Sequence, residues 1–232
     1  EPEYSRICTD YMREISGLDI KLSRNLIEAT HDTSCMVAYS SALKSTAIRL
    51  SKICNDLRLM SSGPRTGLSE INLPPKQPGS SIMPGKVNPV IPEVVNQVCF
   101  KVIGNDMTVT MASEAAQLEL NVMEPVMIQS LVESAIWMSR AFTTLRVECI
   151  EGITANKKHC EDMVKNSIGI VTALKPYIGY SNCSDVAKTA LATGASVYDL
   201  VLERNLLTKK QLDRIMDPKN MVKPAVVEDL EK

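Results

Sequence analysis

Aromatic residues, excess charge of one sign and long apolar runs are all scarce in this sequence, and each absence excludes a class of function. Only 4% of the 232 residues are aromatic, which disfavours stacking platforms for nucleic-acid bases. The formal net charge is −1 and no Lys/Arg-rich run occurs, so nothing attracts nucleic acid or an anionic membrane surface. No apolar run is long enough to span a bilayer, and no signal peptide is recognisable. We therefore predict no nucleic-acid partner and no membrane partner.

Metal-binding and disulfide patterns are missing as well. The seven cysteines are widely spaced without a C-x-x-C pair, and only two histidines, His31 and His159, accompany them. Zinc ligation needs closer clustering, so we expect no metal and no cofactor. An odd number of cysteines favours small buried side chains in a reducing compartment, which predicts a cytoplasmic protein. We interpret His31 as a turn or helix-start residue and His159 as a surface residue of a helix.

Helical periodicity dominates the sequence, whereas strand signals are scarce. Hydrophobic residues make up 44% and charged residues 23%, as in an ordinary globular protein. Apolar residues recur at steps of three and four in long segments at about 33–60, 89–110 and 126–145. Shorter helices are predicted at 4–15, 22–29 and 197–203, and a capping box at Thr208 and Gln211. Long helices joined end to end predict a bundle, and subunit association is a natural way to cover its remaining surface.

The sequence pattern changes after residue 151, where the predicted helical segments become shorter and residues typical of turns become more frequent. We therefore predict an all-α fold with a long-helix bundle over residues 1–151 and a small C-terminal helical domain over 152–232. A polar, proline-rich loop at 63–88 interrupts the bundle. Loops of this length inside a helical domain are usually functional or disordered.

The end of this loop reads GSSIMPGKVNP, residues 79–89, and leads directly into a predicted helix. Asn88 is a suitable N-cap, and Pro89 suits the first helical position. Because the unpaired amides at a helix start attract anions, Lys86, Asn88 and the helix end together could hold a carboxylate or a phosphate.

The two serines of the loop, Ser80 and Ser81, lie between glycines that permit unusual backbone conformations. Their hydroxyls and amides could therefore face one small volume and stabilise an oxyanion. Lys86 and nearby amides would lower the pKa of a serine hydroxyl and activate it. No histidine–aspartate relay is visible, and the glycine spacing does not fit a P-loop. The alternative interpretation is a solvated loop capped by Asn88.

The complete string resembles the signature loop of the fumarase/aspartase superfamily, G-S-S-x-M-P-x-K-x-N, at every defined position. Segments 52–65, 92–98 and 119–125 resemble aspartases, and segments 152–156 and 206–208 resemble the C-terminal portion of the family. The resemblance covers essentially the whole chain, which would be the C-terminal half of such an enzyme. It implies half of a central helical domain, and a homotetramer in which three subunits assemble each active site around a small-molecule substrate.

The resemblance also implies catalytic roles. Ser80 would be the base that takes a proton from the carbon beside the substrate's side-chain carboxylate. Ser81 and neighbouring amides would stabilise the resulting aci-carboxylate. Glu93, seven residues after Lys86 and about two helical turns on, would orient a histidine from elsewhere. Without the resemblance, Glu93 would be interpreted as a solvated carboxylate on a helix face.

The remaining loop residues are implied to bind the substrate. Lys86 and Asn88 would hold its α-carboxylate, and Ser81, Ile82 and Met83 would line its site. The implied reaction is the reversible elimination of ammonia from L-aspartate to give fumarate. One alternative is a class II fumarase, in which water leaves instead, and another is a non-catalytic helical interaction module. Because the family's other site segments and their histidine are not in this chain, we predict that it is inactive alone.

Overall fold

The computed structural model describes residues 3–77, 83 and 86–222, and most of the described residues are helical, which confirms the predicted all-α class. The α-helices are α1 Tyr4–Ser16, α2 Ser34–Met60, α3 Val90–Glu114, α4 Glu124–Glu148, α5 Lys157–Lys165, α6 Val171–Thr193, α7 Val197–Glu203, α8 Lys209–Ile215 and α9 Pro218–Met221. Short 3-10 helices cover Glu28–Thr30, Ile150–Gly152 and Ile168–Ile170. Two short strands, β1 Ile71–Asn72 and β2 Thr154–Ala155, pair with each other.

Packing contacts divide the chain into two units, 1–68 with 73–154 and 69–72 with 155–232. The first unit is built on α2, α3 and α4, because α3 packs along both of the other helices. These helices correspond to the three long predicted segments, so the predicted bundle is confirmed. Its buried apolar side chains include Ala47, Leu50, Cys54, Leu57, Val95, Cys99, Val102, Val109, Met127, Leu131, Met138, Ala141 and Leu145.

Local backbone chemistry decides where the first short helices begin and end. α1 ends at Gly17, whose φ of 68° lies in the left-handed region that glycine adopts without strain. The predicted helix at 22–29 is wrong, since only the 3-10 turn Glu28–Thr30 forms there. Asn25 Oδ1 accepts hydrogen bonds from the amides of Ile27 and Glu28. Such a side-chain turn competes with the hydrogen bonds of an α-helix.

Two adjacent buried polar residues on α3 face its two neighbouring helices. Asp106 accepts hydrogen bonds from Ser40 Oγ at 2.8 Å and from Lys44 Nζ at 2.6 Å, both on α2. Asn105 Nδ2 donates to Glu133 Oε2 on α4 at 2.8 Å, and this bond lowers the pKa of Glu133 because it favours the ionised carboxylate. Among the described residues, no buried side-chain nitrogen or oxygen lacks a hydrogen-bond partner.

Large apolar side chains also lie on the outer faces of the same three helices. Phe100 and Met107 on α3 are 60% and 62% exposed, and Tyr39 on α2 and Val132 on α4 are each 52% exposed. The packing within this unit therefore uses only part of the apolar surface that its helices carry. Covering the rest would be favourable by roughly 25 cal/mol per Å².

The second unit has an apolar core of its own. Ser196 and Thr208 accept hydrogen bonds from the first-turn amides of α7 and α8, and the predicted capping box of Thr208 with Gln211 is confirmed. Gly179, with φ 75° and ψ 166°, kinks α6 three residues after Pro176. The core consists of Ile170, Leu174, Ile178, Cys183, Val186, Ala190, Val197, Leu200, Val201, Leu212 and Ile215.

Candidate active site

The candidate site centres on the signature segment, residues 79–89, and on the first turn of α3. Of the predicted catalytic and substrate-binding residues, Ser80, Ser81 and Ile82 lie outside the described residues. Met83 and Lys86 are both exposed, and the Lys86 amide donates to the Met83 carbonyl at 3.2 Å. This turn presents the start of the lysine side chain on the surface of the first unit.

The start of α3 differs from the prediction by one residue. Pro89 occupies the cap position, the helix begins at Val90, and no side chain caps it, so the prediction of Asn88 as N-cap and Pro89 as first helical residue is wrong. The Asn88 carbonyl instead accepts from the Val90 amide at 2.8 Å. The side-chain amide of Asn88 is therefore not used in capping.

The same geometry limits what the helix end can offer to an anion. The Val90 amide is already bonded to Asn88, and Pro92 has no amide hydrogen, so two of the first three helical positions provide no donor. The partial positive charge of the helix start remains. An anion at this end would therefore depend mainly on the side chains of Lys86 and Asn88.

Glu93 lies in the first turn of α3, and its amide donates to the Pro89 carbonyl at 3.1 Å. Because α3 begins at Val90, the interval from Lys86 to Glu93 is not two helical turns, and that prediction is wrong. The Glu93 carboxylate is half-exposed, with Arg58 Nη2 of α2 at 4.0 Å from its Oε1. Sequence reasoning did not single out Arg58.

Both stems of the loop are anchored at the end of α4. Lys76 Nζ lies 2.6 Å from Glu148 Oε2. A Cβ at Gly152 would lie 2.5 Å from Pro74 Cγ, so only glycine fits beside that proline. A narrow crevice joins the two stems to the end of α4, and it is lined by Leu73, Pro74, Asn88, Pro89, Val90, Ile91, Pro92, Glu148 and Cys149.

Two asparagines in the segments that resemble the family have structural roles. Asn121 is 4% exposed, its Nδ2 donates to the Ala112 carbonyl at 3.1 Å, and its Oδ1 accepts from the Met123 amide at 2.8 Å. Asn156 Nδ2 donates to the Ser69 carbonyl at 2.8 Å. Asn121 therefore joins the end of α3 to the start of α4 and is not available to a ligand.

Neither histidine forms part of this arrangement. His31 follows the 3-10 turn Glu28–Thr30, with Nδ1 at 3.1 Å from the Ile27 carbonyl oxygen, and His159 is exposed on α5. Both predicted placements are confirmed. Within residues 3–77, 83 and 86–222, no group of three or more His, Cys, Asp or Glu side chains could hold a metal ion. No helix in that part of the chain is long and apolar enough to cross a membrane.

The second groove of the first unit lies between the end of α3 and the start of α4. Its lining is apolar and contains none of the predicted site residues: Met107, Thr108, Met111, Ala112, Ala115, Met123 and Val126. The groove therefore contains no acidic or basic side chain.

Comparison with known proteins agrees with the signature segment. A family model described as Lyase matches residues 1–104, and one described as Fumarase C C-terminus matches residues 170–223. Both matched models are lyase families, and together with the long-helix bundle they show that the chain is similar to members of the fumarase/aspartase superfamily.

Within the superfamily, the chain is similar to aspartate ammonia-lyases. The aspartate ammonia-lyase of Helicobacter pylori is 57% identical over 223 residues, which are 96% of this chain and 48% of that protein. The fumarate lyase:delta crystallin from Brucella melitensis bound to cobalt has a TM-score of 0.89 at 48% identity, covering 95% of this chain and 48% of that one. The class II fumarase from Schistosoma mansoni has a TM-score of 0.86 at 29% identity, covering 97% and 50%. The chain thus spans about half the length of these relatives.

Proposed function

We propose that the complete enzyme containing this chain eliminates ammonia from L-aspartate to give fumarate, reversibly. The observation that carries the proposal is the 57% identity to an aspartate ammonia-lyase over 96% of the chain. A class II fumarase is the second candidate, because the class II fumarase from Schistosoma mansoni matches this chain with a TM-score of 0.86. The two sequences, however, are only 29% identical. The difference in identity favours ammonia over water as the leaving group.

The proposed chemistry begins with the abstraction of a weakly acidic proton. Ser80, as the alkoxide, takes a proton from the carbon beside the substrate's side-chain carboxylate. The electron pair of that C–H bond moves into the carboxylate and forms an aci-carboxylate dianion, which Ser81 and nearby amides stabilise. The dianion then collapses to the carbon–carbon double bond while the C–N bond breaks, and the protonated amino group leaves as ammonia.

The described residues supply the electrostatic part of this scheme. Lys86 brings a full positive charge next to the start of α3, and the Asn88 amide is not used in capping. We assign both to the substrate's α-carboxylate, with Ile82 and Met83 lining the site. Glu93 is assigned to orient a histidine supplied from outside this chain. No metal or other cofactor enters the scheme.

We propose a homotetramer in which the outer faces of α2, α3 and α4 pack against other subunits. The exposed apolar side chains on these helices support this assembly, since three long helices leave one another incompletely covered. We further propose the domain division 1–151 and 152–232, and a cytoplasmic enzyme, because all seven cysteines are free thiols.

The test offers aspartate and malate separately to the complete enzyme and follows the ultraviolet absorbance of fumarate. Turnover of aspartate supports the proposal. Turnover of malate without turnover of aspartate would instead support the second candidate, a fumarase. Ser80→Ala should lower kcat/KM by about 10²- to 10⁴-fold without a change in helicity. Ser181→Ala, which removes an exposed hydroxyl on α6, is the matched control and should leave activity unchanged.

This chain alone should not turn over aspartate, because the histidine that meets Glu93 and the remaining substrate contacts are assigned to other segments. The same absorbance assay on the purified 232-residue polypeptide checks this expectation. Clear turnover by the chain would show that residues 1–232 contain a sufficient active site and would contradict the proposed roles.

A further inference from the structure

The Glu93 carboxylate lies at the end of a series of polar contacts between α2 and α3. Arg58 Nη2 lies 4.0 Å from Glu93 Oε1, while Nη1 of the same guanidinium donates to Asn96 Oδ1 at 3.4 Å. Glu93 and Asn96 are three residues apart on α3 and therefore share a helix face. One guanidinium on α2 thus contacts two neighbouring side chains of α3.

The inner end of this series is buried and its orientation is fixed. Asn96 is 3% exposed, and its Nδ2 donates to Ser51 O at 3.1 Å and to Ser51 Oγ at 2.9 Å. Because an amide nitrogen only donates, the Ser51 carbonyl turns the Asn96 oxygen toward Arg58. Ser51 and Arg58 are seven residues apart, about two turns along α2, so both face α3.

We propose that Arg58 is a positioning residue for the lyase reaction and holds the Glu93 carboxylate in the orientation in which it meets its histidine. The assignment rests on the proposed function, in which Glu93 orients that histidine. A glutamate side chain at 39% exposure loses rotamer freedom only when a fixed partner holds it. Arg58 is such a partner, since its planar fork reaches Asn96 and Glu93 together, whereas a lysine would act as a point charge.

The contact is suited to orientation rather than to stability. The side chains of Arg58 and Glu93 are 43% and 39% exposed, and ion pairs this exposed contribute little to folding because solvent screens them. Loss of Arg58 should therefore leave the unfolding temperature unchanged. Its effect should appear in the rate of the chemical step, where small misplacements of a catalytic group are costly.

The first experiment measures kcat, KM for aspartate and the unfolding temperature of the complete enzyme and its variants. Arg58→Gln should lower kcat by about 10- to 100-fold, with KM and unfolding temperature unchanged, and Arg58→Lys should recover part of the loss. The control is Lys188→Gln, which removes an exposed cation on α6 of the second unit for which the described residues provide no ion pair, and it should behave as the unaltered enzyme.

A second experiment places Arg58→Gln in the Glu93→Gln background. If Arg58 acts through Glu93, the double variant should be no slower than Glu93→Gln alone. A further loss of kcat, a raised KM, a lowered unfolding temperature, or no difference from Lys188→Gln would each overturn the assignment, while aspartate turnover by the unaltered enzyme would still support the proposed function. No turnover of aspartate by the unaltered enzyme would overturn the proposed function and this assignment with it.

Discussion

The two units of the chain differ in the polar side chains that they bury. All the buried polar side chains among the described residues belong to the first unit, which also leaves residues such as Phe100 and Met107 exposed on its helices. The second unit has one buried apolar cluster around Leu174 and Leu212, although it also leaves Tyr180 and Leu191 exposed. From this difference we predict that association depends on the outer faces of the first unit and that the core of the second unit is stable independently of association.

The largest expected effect is the loss of a core side chain in the second unit. Leu212 is fully buried, so Leu212→Ala should lower the free energy of unfolding by about 2–5 kcal/mol. Trp137, the single tryptophan of the sequence, lies in the first unit, so the urea midpoint measured by its fluorescence should not change. The urea transition measured by circular dichroism, which reports the helicity of both units, should shift to lower urea concentration. Leu191→Ala, at a 76% exposed position of α6, is the control. Equal shifts of both signals would contradict separate cores.

A buried polar group of the first unit should give the next largest effect. Asp106→Ala leaves Ser40 and Lys44 without their acceptor, which should cost about 1–3 kcal/mol. Here the Trp137 fluorescence transition in urea should shift. Asp56→Ala removes an exposed partner of Lys52 on α2 and should change the free energy of unfolding by less than about 0.5 kcal/mol. A comparable loss in both variants would show that burial of the carboxylate is not what matters.

A smaller effect is expected from the exposed face of α3. Phe100→Gln should leave the unfolding of the first unit unchanged and weaken subunit association by about 1–2 kcal/mol per subunit. Sedimentation velocity on the complete enzyme, over a range of concentrations, measures this shift. Tyr180→Gln removes a 74% exposed aromatic of the second unit and should not alter association. If the two variants dissociate alike, the comparison between the units fails.

The last prediction concerns the buried thiols of the first unit. Burial raises the pKa of Cys54 to about 12, and the nearby Cys99 contributes less to the same shift. Burial also raises the pKa values of Cys99 and Cys149. A raised folded pKa stabilises the fold below the ordinary thiol pKa of about 8.5, and that stability is lost as pH rises toward the folded value.

These thiols should therefore react with a disulfide reagent at pH 8 only after urea is added, whereas the exposed Cys8 and Cys35 should react at once. The urea midpoint of the first unit should also fall between pH 8 and pH 11, and less so in Cys54→Ala than in the matched surface variant Cys35→Ala. Rapid labelling of all seven cysteines in native buffer would contradict this expectation.

Local signals explain which parts of the fold could be predicted. Thr208 with Gln211 starts α8 as expected, and Gly17 ends α1, because each of these signals acts within a few residues of the chain. The failures at 22–29 and at Asn88 are also local, since Asn25 forms a competing turn and Pro89 takes the cap position. Periodicity identifies helices more reliably than it identifies their ends.

Only the part of the candidate site that lies in one contiguous motif could be predicted. Lys86, Asn88 and Glu93 follow from the signature string, and their proposed roles stay predictions. Arg58 was not found because its relation to Glu93 depends on the alignment of α2 against α3, which no spacing in the sequence specifies. A weak signal was present, since Ser51 and Arg58 are polar residues two turns apart on an otherwise apolar helix face.

The adjacent residues Asn105 and Asp106 have one more consequence. Neighbouring positions on a helix point about 100° apart, so the pair bonds to α4 and α2 at the same height. A slip of α3 by one turn, about 5.4 Å, would separate both from their partners at once. The pair therefore helps to fix the axial level of Val90, roughly 23 Å away along the helix. The start of α3 is thus positioned by contacts inside the bundle.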